Sequence, residues 1–161
     1  MKQGERYVWG LIAVLVLFAI GRSLFLKQDK HQGEIPFYST APASVAQPAS
    51  DLYRKYHCRE CHSLWTIRDV LQNVPAPMLD GIGSLRSEAW LYAYLSAPVP
   101  QEILPTRLKA EYKMPSFASL PESERRLMAQ YLSSLKVKDW YLEETRKSEY
   151  EKLTGLDYHP E

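Results

Sequence analysis

Two cysteines and a histidine stand at a spacing that suits one chemistry in particular: Cys58-Arg59-Glu60-Cys61-His62. Cysteines three positions apart share one turn of helical or near-helical chain. Their thiols can then reach both vinyl groups along one porphyrin edge and form two thioether bonds. The next residue, His62, lies under the iron and can offer an imidazole nitrogen as proximal ligand. The other uses of a C-x-x-C pair need features that this chain lacks. A structural zinc site wants two further ligands at similarly tight spacing, yet the chain has only two cysteines, and His31, His57 and His159 form no second pair. A redox dithiol belongs near a strand-helix-strand pattern, which the stretch from Tyr56 to Trp65 does not show. A small disulfide has no use for the histidine. The motif therefore predicts one covalent haem c.

The elements that must hold this site come from a chain of 161 residues with net charge +1 and 45% hydrophobic residues. That length predicts one domain with extensions, and the absence of a strong basic excess argues against nucleic acid as a partner. Residues 1–27 contain an apolar run from Tyr7 to Gly21 that resumes at Leu24-Phe25-Leu26. Roughly 20 such residues suffice for a helix to cross a bilayer. Tyr7 and Trp9 suit one membrane interface, and Arg22 is near enough to the other end to snorkel. Ala19-Ile20-Gly21 loosely matches a signal-peptide cleavage site, but the resumed apolar run favours an uncleaved anchor in contact with membrane lipid. Lys2 and Arg6 on one side and Arg22, Lys27 and Lys30 on the other leave the orientation unset by charge. In bacteria c-type haem is attached outside the cytoplasmic membrane, which predicts a single-pass protein with its haem domain on the periplasmic side.

Residues 28–48 carry Pro36, Pro42 and Pro48 in a polar, Ala- and Ser-containing stretch. Such a segment reads as an extended tether, or as one whose Ile35-Pro36-Phe37-Tyr38 lies along a partner subunit. Residues 49–137 form the expected haem domain. Ser50 or Asp51 can cap a first helix leading into the cysteine turn, and a turn-rich loop runs from Asn73 to Gly83. Ser87 then caps a short helix, Glu88 to Ser96, stopped by Pro98. Ser119-Leu-Pro-Glu122 reads as a capping box for the last helix of the domain. Residues 138–161 form an extension in which Asp139 can cap a helix ended by Gly155, with Leu142, Arg146, Tyr150 and Leu153 on one face. So thin a stripe hardly stabilises an isolated helix, so Trp140, Tyr141, Tyr150 and Tyr158 are expected to dock on another subunit.

Five motifs then agree in order and spacing: Cys58 to His62, Pro77-x-Leu-x-Gly81, Arg86-Ser-x-x-Trp90-Leu-x-x-Tyr94-Leu, Lys113-Met-Pro-Ser-Phe117 and Glu124-Arg-x-x-x-x-x-Tyr131-Leu-x-Ser-Leu135. Over roughly the middle half of the chain they resemble class I monohaem cytochromes c, in the layout of a membrane-anchored bacterial member. The resemblance implies an all-α class I cytochrome c-like haem domain, flanked by an N-terminal transmembrane helix and a C-terminal helical extension. It implies Met114 as the distal iron ligand; by residue type alone Met78, Met128 and His57 also compete. Met128 sits in the apolar stripe of the last helix, Met78 in the proximal loop, and His57 too close to Cys58 to reach the other haem face. The resemblance also implies that the Pro77 carbonyl accepts the His62 N–H, and that Arg86 and Trp90 meet a haem propionate. Trp90 as core and Arg86 as a solvated side chain are the plainer alternatives.

Histidine and methionine together fill both axial positions, leave no site for substrate and raise the reduction potential. The implied role is one-electron transfer rather than catalysis by the chain itself. Its implied partners are other subunits of a membrane redox complex and a donor or acceptor cytochrome or oxidoreductase. Two other classes remain open: a haem enzyme or gas sensor with a free distal position, and an assembly subunit whose haem is mainly structural. A covalent cofactor also explains how a domain of under about 100 residues can be stable.

Overall fold

The apolar run near the N-terminus folds as one helix, α1 (Gln3–Phe25), about 35 Å long by the usual helical rise. Its stretch Gly4–Arg22 has a mean hydropathy of 1.6 and is long and apolar enough to cross a membrane core of roughly 30 Å. Leu15, Val16, Leu17 and Phe18, four consecutive residues and so spread around the helix, are all exposed, so the helix has apolar residues on every side instead of one buried stripe. The computed structural model describes residues 3–25, 31, 33–67, 74 and 76–160. Lys2, Leu26, Lys27, Lys30, Asn73 and Pro75 lie outside the described residues.

Two units are distinguished, Met1–Ile35 and Pro36–Glu161. The second is mostly helical, as the sequence predicts. It contains α2 (Ala43–Lys55), α3 (Ile82–Leu85), α4 (Glu88–Ser96), α5 (Glu122–Ser134) and α6 (Leu142–Thr154), with strands β1 (Phe37–Ser39) and β2 (Leu135–Val137). α2 and α4 both pack on α5. Their contacts bury Ala49 and Tyr53 of α2, Leu91 and Leu95 of α4, and Met128, Ala129, Tyr131 and Leu132 of α5. Leu135, at the end of α5, is 1% exposed, and burying such a side chain contributes about 1.5–3 kcal/mol.

Several boundaries differ from expectation. The tether expected over 28–48 is not extended as far as Pro48, because Phe37 to Ser39 pair antiparallel with Val137 to Leu135. Lys138 N–H and Thr40 N–H extend the pairing to the carbonyls of Pro36 and Ser134. Tyr38 keeps an exposed side chain, but the backbone of 37–39 is committed to its own chain rather than to a partner. The first helix starts at Ala43, not at Ser50 or Asp51. Pro42 stands at its N-cap, where a missing N–H costs nothing, and Pro48 lies inside it. Fully buried Ala49 and nearly buried Tyr53 show what outweighs the proline: the helix face is packed against α5. α5 begins at Glu122 with Pro121 at the N-cap and no side chain capping it, so the expected Ser119 box does not form. The Ser87 cap does form, its Oγ accepting from Trp90 N–H at 3.2 Å, and α4 ends at Ser96.

The extension departs furthest from its reading. Asp139 begins a 3-10 turn, Asp139–Tyr141, and α6 follows with Tyr141 in the N-cap position. Tyr141 packs edge-on against Phe37 at 5.4 Å, and Tyr150 against Tyr158 at 5.6 Å. Arg146 and Tyr150, expected on the packing face, are exposed, while Thr145 is buried. The extension folds onto its own domain.

Candidate functional site

The cysteine turn is a short 3-10 helix, Cys58–Glu60, entered from α2 through His57 in the left-handed region at φ 56°. Cys61 N–H and His62 N–H both donate to the Cys58 carbonyl, at 3.3 and 2.9 Å. Cys58, Cys61 and His62 are therefore brought together on one turn. Tyr53, nine residues earlier on α2, donates its hydroxyl to the His62 carbonyl at 2.7 Å and ties the turn to the helix. Burial pushes the Tyr53 hydroxyl far above its usual pKa, as suits a donor that keeps its proton.

His62 is half-buried, and its Nδ1 lies 2.8 Å from the Pro77 carbonyl oxygen. A carbonyl only accepts, so Nδ1 carries the proton and Nε2 the lone pair. Burial lowers the imidazole pKa, while the Pro77 bond opposes that effect. The ring is neutral and oriented, the form in which it binds a metal.

The proximal loop is held by a second buried group. Asp80, 2% exposed, accepts from Thr66 N–H at 3.3 Å, and burial raises its carboxyl pKa. Trp65 and Thr66 both stand at positive φ, 56° and 60°, an uncommon pair of conformations for bulky side chains, in the turn that leaves His62. At Gly81, φ is 81° and an added Cβ would fall 1.9 Å from Val137 Cγ1. Only glycine fits there.

Met114 is half-buried against the core on the loop ahead of α5. The loop is fastened to the segment after α4: Gln101 Nε2 donates to the Met114 carbonyl at 2.8 Å, and Ser116 Oγ to the Ala97 carbonyl at 2.8 Å. Of its competitors, Met128 is buried on α5, and His57 is exposed and paired with Glu60 at 2.8 Å. Arg86 and Trp90 meet each other, the guanidinium carbon 5.0 Å from the indole centre. Arg86 also donates to Glu149 Oε2 at 2.9 Å, a partner the sequence reading missed because 63 residues separate them. Trp90 in turn stacks on Tyr94 at 5.1 Å.

Gln101 was also missed, and Ser116, quoted within the Lys113 to Phe117 motif, was given no bond to Ala97. Their only signal in the sequence is their place on either side of a methionine loop.

These residues fit a covalent porphyrin. Cys58 and Cys61 form no disulfide, and burial pushes the Cys58 thiol up to about 11, so it stays protonated at neutral pH. A small cleft opens beside Cys58, lined by Tyr56, Leu95, Phe117, Leu120 and Met128, with Glu124 and Arg125 also on its wall. Among the described residues no group of three or more His, Cys, Asp or Glu side chains could hold a metal ion unaided.

The family model described as Cytochrome c matches residues 46–136. No curated protein and no solved structure matches the chain.

Proposed function

The chain belongs to the Cytochrome c family, and on that premise we propose that it is a membrane-anchored carrier of single electrons with one covalent haem c, working as a subunit of a membrane electron-transfer complex. The observation that carries this reading is His62, on one turn with Cys58 and Cys61, with its Nδ1 bonded to Pro77 at 2.8 Å.

A haem joined to those thiols supplies one-electron cycling between ferrous and ferric iron. The chain's own residues hold and tune it. Cys58 and Cys61 would carry the thioethers, and His62 would offer Nε2 to the iron. The Pro77 carbonyl fixes the tautomer and raises the basicity of that ligand. Met114 is proposed as the second ligand, whose thioether would raise the potential. Arg86 and Trp90 are proposed to stand beside a haem propionate, with Arg86 supplying a cation.

In this reading residues 1–27 are an uncleaved anchor crossing the bacterial cytoplasmic membrane once. The haem domain stands on the periplasmic side, where c-type haem is attached. It exchanges electrons with a donor or acceptor cytochrome or oxidoreductase, among the other subunits of its complex.

A redox titration of the detergent-purified protein, with its co-purifying subunits, tests this. One reversible one-electron wave is expected, from a haem that stays on the chain after acid extraction. Haem that extracts, or a chain without redox activity, would overturn the reading.

A further inference from the structure

Three residues on one side of α6 face the domain: Thr145, Glu149 and Leu153, at the four-residue steps that align on a helix. Thr145 is 6% exposed, and its Cγ2 lies 3.5 Å from where a Cβ on Gly81 would be. One turn on, Glu149 pairs with Arg86 at 2.9 Å, with side chains 14% and 24% exposed. At the end of the helix the Leu153 carbonyl accepts from Arg107 N–H at 3.4 Å. Gly155, at φ 73°, lies against the same arginine, and an added Cβ would fall 2.8 Å from Arg107 Nε. Gly81 and Arg86 belong to the segment that follows Pro77, and Arg107 to the loop that leads to Met114.

We propose that the C-terminal extension is a strap that positions both walls of the haem site. Thr145 and Glu149 fasten it to the proximal segment, and Leu153 and Gly155 fasten it to the Met114 loop. A helix is a stiff spacer, and the eight residues from Thr145 to Leu153 span about 12 Å. The strap therefore adds a second fixed distance between the two segments, beside the one that α4 sets by running from Ser87 to the Ala97 carbonyl that holds Ser116. The ion pair suits this work because it is largely withdrawn from water, where loss of one partner leaves the other charge uncompensated. The inference goes beyond electron transfer and rests on that reading only in taking the Met114 loop as the distal wall.

Hydrogen exchange of the full-length, haem-loaded protein in detergent tests it, with Glu149→Lys setting two cations against each other. Amides of residues 79–86 and 105–114 are expected to exchange roughly tenfold faster, with those of α5 unchanged. The ferrous variant is expected to take up carbon monoxide slowly, where the parent does not bind it, as the distal wall loosens. Gly155→Val should reproduce the change at 105–114 alone. Should the amides of α5 also speed up, the domain has been lost, and Glu149→Gln replaces the first variant, with about a threefold rise expected because only the charge is removed. Faster exchange within α6 and none at 105–114 would overturn the strap. The parent protein reports separately on the function: immediate uptake of carbon monoxide contradicts Met114 as ligand and leaves the exchange arm to decide the strap.

Discussion

His62 Nδ1 donates to the Pro77 carbonyl at 2.8 Å across fifteen residues of chain. That bond turns a sequence motif into a site, because it fixes which imidazole nitrogen is left to bind iron. His62→Ala is expected to leave the haem attached through Cys58 and Cys61 but to convert a low-spin visible spectrum to high-spin. An unchanged spectrum would remove His62 from the coordination sphere.

Met114→Ala should lower the reduction potential by on the order of 0.1 V, a fraction of the roughly 0.8 V that axial ligands span. The ferrous variant should also bind carbon monoxide where the parent does not. Redox titration and carbon monoxide difference spectra check the two effects together. A variant that keeps the parent potential would point to another ligand.

Gly81 cannot be replaced cheaply. Gly81→Ala drives a methyl into Val137 at a positive φ and should cost about 2–3 kcal/mol, read as a lower denaturant midpoint with an unchanged slope. Gly155→Ala meets only the flexible end of Arg107 and should cost about 1–2 kcal/mol, chiefly from its backbone angle. Equal losses at the two sites would contradict the packing described here.

Tyr53→Phe removes the donor to the His62 carbonyl. An acceptor left unsatisfied in a half-buried turn should cost about 1–2 kcal/mol. The same unfolding measurement checks it, with a loss under the experimental error as the contrary result.

Asp80 gives stability a pH dependence of known sign. Its folded pKa is raised by burial above the ordinary 3.8, so between those values the folded chain holds a proton that the unfolded chain has lost. Stability contributed by Asp80 therefore falls as pH rises from 3.8 through the folded value. The stability of Asp80→Asn relative to the parent should rise over that window. A difference that falls instead would mean that the Thr66 bond holds the carboxylate charged.

The haem turn and α4 were legible because each is written locally: five contiguous residues in one case, Ser87 and Pro98 around an apolar run in the other. The start of α2 was hidden by Pro42 and Pro48, which read as a tether until Ala49 and Tyr53 are seen buried against α5. The packing face of α6 was illegible for a different reason. Its inward residues include Thr145 and Glu149, and apolar periodicity cannot find a polar face whose partners, Gly81 and Arg86, lie about 60 residues away.

In the proposed function the iron is held between His62 and Met114 and carries electrons without binding substrate. The visible and near-infrared spectrum of the detergent-purified native protein, oxidised and then reduced under carbon monoxide, decides this. A low-spin haem c spectrum with a weak sulfur-to-iron band, unmoved by carbon monoxide, is the predicted result. A high-spin ferrous spectrum that shifts when carbon monoxide is added would contradict it and leave the distal position open for ligand chemistry.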